Sequence, residues 1–183
     1  MTGNEVLIGG VEKAEIKIVD YDSLWEKKFE LHKATISSAL GTAALQIEHI
    51  GSTAVPGLAA KPIIDIVVVV ENAANESTYL AKLIEVGYQL RVREPDFFEH
   101  RMVRTQQRDV HIHIFSKGCI EIERYLLLRN YLRSNPDRRA EYQKIKKELA
   151  AQDWPDMNAY SEAKTEIIER LIHEARQSSM EAR

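Results

Sequence analysis

Three groups of residues in this chain carry side chains that could do chemistry in one place. The first is Asp65, the charged residue in the run Ile63-Ile64-Asp65-Ile66-Val67-Val68-Val69-Val70. A carboxylate in a strand buried on both faces is costly unless a cation or a hydrogen bond satisfies it. Charged residues are seldom buried without such a reason, so Asp65 is the strongest functional candidate. Its plainer role is a structural carboxylate satisfied by Lys61 or a nearby N–H. The second group is the turn Gly51-Ser52-Thr53, which a Pro56-Gly57 loop follows. Most such turns are only turns. Set between two strands, however, this one can offer backbone N–H groups and hydroxyls to a phosphate. The third group is His111-Ile112-His113. Neutral imidazoles two apart on a strand share a face and can ligate a transition metal, although two hydrogen-bonded histidines give the same pattern.

How these groups combine depends on strand faces. The same-face neighbour of Asp65 is Val67. Magnesium chemistry on phosphates usually wants two carboxylates on one face, and Val67 denies it the second. If the histidine strand lies beside the Asp65 strand, then Asp65, His111 and His113 converge. That set suits zinc, manganese or iron better than magnesium. Lys61, just before the buried strand, could reach a phosphate on the turn. Arg129 and Arg133 lie four apart on a helix, where like charges repel mildly, so an anion or an acidic neighbour between them would relieve the strain; a solvated helix face is the plainer reading. His49, Arg101 and Arg104 are weaker candidates. Tyr142, Lys146 and Lys164 fall in late helices, where a surface lysine is the default.

The elements that must position these residues follow from periodicity. Residues 14–19 alternate and suggest a short strand after a loose arm over residues 1–10. Ser23-Leu24-Trp25-Glu26 has the form of a capping box. The helix after it puts Trp25, Phe29, His32, Ile36 and Leu40 on one stripe. Strands are expected over 45–50, 63–70, 88–93, 98–105 and 110–115, with a helix over 75–86 that turns Leu80, Leu83 and Ile84 inward and stops at Gly87. From Cys119 onward the pattern is helical, and breaks at Asn135-Pro136 and Trp154-Pro155 give three helices. The fold class is therefore α/β or α+β: one mixed sheet with helices before, within and after it.

A chain of 183 residues with 44% hydrophobic and 29% charged residues suits one soluble domain, here taken as 1–183 with its core over about 16–175. The net charge of −3 argues against non-specific nucleic-acid binding. The one cysteine, Cys119, permits no intrachain disulfide, which makes the cytoplasm the expected compartment. The apolar run Ile66–Val70 is too short to cross a membrane, and no signal peptide is expected. Hydrolase elbows, Walker loops, dinucleotide-binding glycine fingerprints and cysteine zinc motifs are missing from the sequence.

The stretch H-I-G-S-T-A-V-P-G-L-A-A-K-P-I-I-D-I resembles the GrpB family, whose domain also occurs fused to dephospho-CoA kinase. The resemblance continues through H-I-H-I-F, R-N-Y-L-R-S-N-P and Y-S-E-A-K-T and covers nearly the whole chain. It implies a nucleotidyltransferase-like fold, in which Gly51 and Ser52 match the phosphate turn and Asp65 the first metal-binding acid. The second acid falls at Val67, a departure from the pattern. The resemblance also implies a nucleotide or phosphate ligand, expected on Gly51, Ser52, Thr53, Lys61, Arg129 and Arg133. Asp65 and Ser52 are the expected catalytic residues. A divalent metal (magnesium or manganese, or zinc) is expected on Asp65, His111 and His113, serving nucleotidyl or phosphoryl transfer. Two alternatives remain: a non-catalytic nucleotide-binding module, and a hydrolase whose transition metal sits on Asp65 and the histidine pair.

Overall fold

A computed structural model describes residues 7–12 and 15–181. Its elements run α1 (Leu24–Leu40), β1 (Gln46–Ile50), a 3-10 turn (Ser52–Ala54), β2 (Ile64–Val70), α2 (Leu80–Glu85), β3 (Tyr88–Glu94), β4 (His100–Thr105), β5 (Val110–Ser116), α3 (Ile120–Ser134), α4 (Pro136–Ala150), α5 (Met157–Ala163) and α6 (Thr165–Glu181). Among the described residues, five strands form one mixed sheet in the order β1-β2-β5-β4-β3. The central β2–β5 pair is parallel and the other pairs antiparallel. Its register sets Asp65 beside His111 and Val67 beside His113.

Alternation along the central strands separates two environments. Ile64, Ile66 and Val68 of β2, with Val110, Ile112 and Ile114 of β5, pack with Trp25, Phe29, Ile36 and Leu40 of α1 and Leu83 of α2. Val67, Val69 and Phe115 face the other way and pack with Ile50 and with Ile122 of α3. Asp65, His111 and His113 belong to this second face by the same alternation. A third cluster joins the loop after the turn to the C-terminal helices: Val55 and Leu58 pack with Leu132, Tyr142, Ile167 and Leu171. The helices are thereby held over the sheet face that carries the polar residues.

Several local expectations are corrected. Ser23 is no cap: it is helical at φ −62°, ψ −16°, and its side chain caps nothing. The Asp22 carboxylate instead accepts from the Leu24 N–H at 2.9 Å. The helix expected over 75–86 divides into a 3-10 turn (Glu76–Thr78) and the short α2. Between them Tyr79 leaves helical geometry at φ −141°, buries its ring, and donates its hydroxyl to the Ala73 carbonyl at 2.6 Å. Ile84, expected inward, is 51% exposed. β4 begins at His100 and not Phe98, because Phe98 and Glu99 take left-handed backbone at φ 54° and 55°. Of the strand expected over 14–19, Ala14 lies outside the described residues, and Val19 makes an isolated bridge with Ala60. Of the expected arm, residues 1–6 lie outside the description, while Leu7 bridges to Val92 of β3. Among the described residues the C-terminal portion has four helices, with an added break at Lys164.

The connection from β1 into the 3-10 turn has one strict steric demand. Gly51 stands at φ 72°, ψ −173°, a region essentially restricted to glycine. A β-carbon there would also come 2.8 Å from Oδ2 of Asp65. Gly51→Ala should therefore lower stability by about 1–3 kcal/mol in urea unfolding. Gly57→Ala serves as the control, since its φ of 79° is strained but the nearest atom is 3.9 Å away. An equal loss in both variants would show that the approach of Asp65 imposes nothing.

Candidate functional site

The second sheet face and the C-terminal helices enclose a cavity of about 470 Å³. Gly51, Ser52, Thr53, Lys61, Asp65, His111 and His113 line its sheet side, and Tyr142, Lys146, Tyr160 and Lys164 line its helical side. Asp65 is the hub. Its Oδ1 lies 3.7 Å from Nδ1 of His111 and 3.4 Å from Nε2 of His113, as the parallel register requires. The side chain is 31% exposed. Burial pushes the Asp65 pKa up, but the hydrogen bond from His113 and the charges of His113, His111 and Lys61 hold it below its ordinary value. The pKa of His111 is lowered, chiefly by burial, with Asp65 pulling the other way.

Behind His113 the network continues. Nδ1 of His113 lies 3.0 Å from Nε2 of His100, whose Nδ1 lies 2.6 Å from the Glu94 carboxylate. His100 also stacks on Phe115 at 4.7 Å between ring centroids. No sequence signal marks His100 as a site residue, because its link to His113 depends on β4 pairing with β5.

The helical side supplies what sequence reasoning missed. Lys146 is 2% exposed. Its Nζ donates to the Ala59 carbonyl at 2.6 Å and lies 4.9 Å from the centre of the Tyr142 ring. Lys164 and Lys61 approach a second ring, with Nζ atoms 4.5 Å and 5.1 Å from the centre of Tyr160. Burial, then the charges of Lys164, Lys61 and Lys147, bring Lys146 down to about 7. Burial and Lys61 bring Lys164 down to about 8 against the pull of Asp65. Burial lowers Lys61 as well, again against Asp65. Burial raises the Tyr142 phenol, and Ser52 beside it works in the opposite sense. The Tyr160 hydroxyl is buried and has no hydrogen-bond partner among the described residues.

Other expected residues fall elsewhere or take structural bonds. The Thr53 hydroxyl donates to the Ile63 carbonyl at 3.0 Å and lies 3.0 Å from Nε2 of His49, which braces the turn from beneath. His49 is buried, stacks on Phe29 at 4.8 Å, and is lowered to about 4, mainly by burial. Arg129 donates to the Glu48 carboxylate and the His49 carbonyl, both at 2.9 Å, and Arg133 to the Ala54 carbonyl at 2.8 Å. The two arginines grip the chain on either side of the turn. Arg129 reaches the cavity wall, whereas Arg133 lines a separate polar pocket with Phe29, Lys33 and Glu48. Arg101 pairs with Glu76 and Glu99, and Arg104 with Glu12.

The donor set does not fit the divalent cation expected on Asp65, His111 and His113. Val67, at the second-acid position, is fully buried among Ile50, Val69, Phe115 and Ile122. The Asp65 oxygen nearest the imidazoles is already shared by both, and each nitrogen of His113 has a partner. No group of three His, Cys, Asp or Glu side chains among the described residues is placed to hold a metal ion. No described helix is long and apolar enough to cross a membrane.

Comparison with known proteins agrees with this architecture. The pattern of the GrpB protein family matches residues 15–174. A UPF0157 protein of Streptomyces coelicolor is 50% identical over 162 residues, which span 88% of this chain and 85% of that protein. A dephospho-CoA kinase of Mycolicibacterium paratuberculosis is 27% identical over 82% of this chain and 43% of its own length. The crystal structure of conserved protein GrpB from Enterococcus faecalis matches at a TM-score of 0.80 and 32% identity, over 90% of this chain and 99% of that one. A Cid1 poly(U) polymerase structure with bound MgGTP matches at 0.51 and 15% identity, over 73% of this chain and 44% of that one, a likeness of fold alone. The turn, the mixed sheet and the length of the family match lead to one conclusion: the chain belongs to the GrpB family and has a nucleotidyltransferase-like fold.

Proposed function

We propose that the cavity binds a nucleotide or a similar small molecule bearing a polyphosphate, with the phosphates between the Gly51-Ser52-Thr53 turn and Lys61, Lys146 and Lys164. One observation carries this reading: three lysines from three parts of the chain are drawn into one half-enclosed space. Asp65 is the carboxylate that offsets Lys61 and Lys164. Glu121, also on the wall, is held by Arg124 at 3.0 Å. Burying ammonium groups so close together is unfavourable unless an anion joins them. A polyphosphate supplies that anion, with oxygens for the lysines and for the Ser52 and Tyr160 hydroxyls.

The chemistry such a site suits is nucleotidyl or phosphoryl transfer. Fixed ammonium groups would stabilise charge on the phosphate oxygens. Asp65, with the histidines behind it, would take the proton of the acceptor hydroxyl. Val67 favours a second reading, a binding module without turnover. Saturable binding with no product would select it.

A thermal-shift screen of nucleoside triphosphates, CoA and dephospho-CoA tests the binding. A ligand at about a hundred times its dissociation constant stabilises the fold by roughly 2.7 kcal/mol. Lys61→Ala should weaken that ligand roughly 10- to 100-fold, since a hydrogen bond to a charged group contributes about 1.5–3 kcal/mol. If no ligand shifts the wild type, or the variant binds equally well, this assignment of the cavity fails.

Two pH trends of opposite sign should accompany binding. In the ligand-free fold Lys146 and Lys164 lose protons near 7 and 8, whereas in the unfolded chain they keep them to about 10.4. The unfolded chain therefore binds more protons between those limits, and the free protein gains stability as pH rises from about 7.5 to 9.5. An anion favours the protonated lysines, so affinity should fall over the same window, in which a terminal phosphate with a pKa near 6 is already ionised. Calorimetric titration across that range checks both trends. A flat affinity would mean that neither lysine touches the ligand.

A further inference from the structure

We infer that this chain takes its polyphosphate free of divalent cation, with the ammonium groups of Lys61, Lys146 and Lys164 standing where a metal's charge would be needed. The inference rests on the polyphosphate reading above and deepens it. Three independent features point the same way.

The acidic end of the cavity is poor in ligands. Val67 occupies the place of a second acid and packs into an apolar cluster. Of the Asp65 oxygens, Oδ1 faces His111 and His113. Oδ2 lies against Gly51 so closely that a methyl there would sit 2.8 Å away. A cation entering the cavity would find one carboxylate, whose Oδ1 is already shared by two imidazoles.

The cavity also gathers three basic side chains from different parts of the chain. Lys61 enters from the loop before β2, Lys146 from α4, and Lys164 from the end of α5. The charges of Lys164, Lys61 and Lys147 all act on Lys146. A polyphosphate that arrives chelated brings a dication into that field and has part of its own negative charge cancelled. The free polyanion keeps its full charge for the lysines, so the electrostatic match favours it.

The aromatic residues fit the same occupant. The Nζ atoms of Lys61 and Lys164 both lie within 5.1 Å of the centre of the Tyr160 ring, and its hydroxyl is buried without a partner among the described residues. A phosphate oxygen bound by those lysines would give that hydroxyl an acceptor.

Isothermal titration of the full chain with inorganic tripolyphosphate and with ATP tests this, once with excess EDTA and once with excess magnesium or manganese. Binding in EDTA should be tighter than with metal, because added metal lowers the free polyanion. Asp65→Asn should bind in EDTA at least as well as wild type, because it removes a negative charge and keeps an oxygen for the imidazoles. Lys164→Gln should lose at least tenfold, and Lys61→Gln replaces it if that variant does not fold. Binding that appears only with magnesium or manganese overturns the inference and leaves the polyphosphate reading standing. Absence of binding under every condition overturns both.

Discussion

The carboxylate of Asp65 lies close against the backbone of Gly51, and much of the site depends on that closeness. It requires glycine at residue 51, because any β-carbon would meet Oδ2. It also sets the turn against β2, so that Ser52 and the carboxylate open into the same cavity. The surrounding bonds protect this approach. Thr53 is tied to Ile63 and His49 beneath the turn, while Arg129 and Arg133 hold the carbonyls of His49 and Ala54 on its two sides. All of these polar groups brace the backbone of one short segment. Such bracing exceeds what a connecting loop needs and is what a preorganised site requires.

Charge placement follows from the same geometry. Asp65 lies beside two imidazoles, and Lys61 from the loop and Lys146 and Lys164 from the helical side line the same cavity. Lys146 is nearly inaccessible and donates to the Ala59 carbonyl. That single bond does not satisfy three ammonium donors. The Tyr142 ring face provides partial relief. The C-terminal helices therefore do more than cover the sheet. By packing Leu132, Tyr142, Ile167 and Leu171 on Val55 and Leu58, they use apolar burial to hold cations in a place they would otherwise leave.

The legibility of these features in the sequence follows their range. Strands β2 and β5 are readable because alternation and β-branched runs are local signals. Asp65 stands out because it violates such a run, and Gly51 and Ser52 because turn chemistry is local too. Lys146 reads as solvated surface because its helix carries many charges and little apolar periodicity, and Lys164 because a lysine at a helix end is exposed by default. The burial of Lys146 comes from contact with a residue some ninety positions away, Ala59. Arg129 and Arg133 are noticeable for their spacing, yet their partners are a carboxylate and carbonyls of β1 and the turn after it, which no spacing rule reveals. Ser23 has the pattern of a cap, and Asp22 takes the bond because it lies one residue nearer the incoming chain.

The histidines behind Asp65 show how proton count constrains the site. Glu94, His100, His113 and Asp65 form a line with a carboxylate at each end. Carboxylates accept, so the two outer contacts each need an N–H from an imidazole, and the contact between the imidazoles needs one more. Two neutral imidazoles carry only two N–H groups between them. For all three contacts to be hydrogen bonds, the pair must hold one additional proton. Burial lowers the His100 pKa and opposes that proton, with the hydrogen bond to Glu94 pulling the other way. With two neutral imidazoles, only two of the three contacts can be hydrogen bonds. The Asp65 carboxylate is then the negative charge that acts on Lys61 and Lys164. One carboxylate does not neutralise both lysines, which leaves their remaining charge for an anionic ligand.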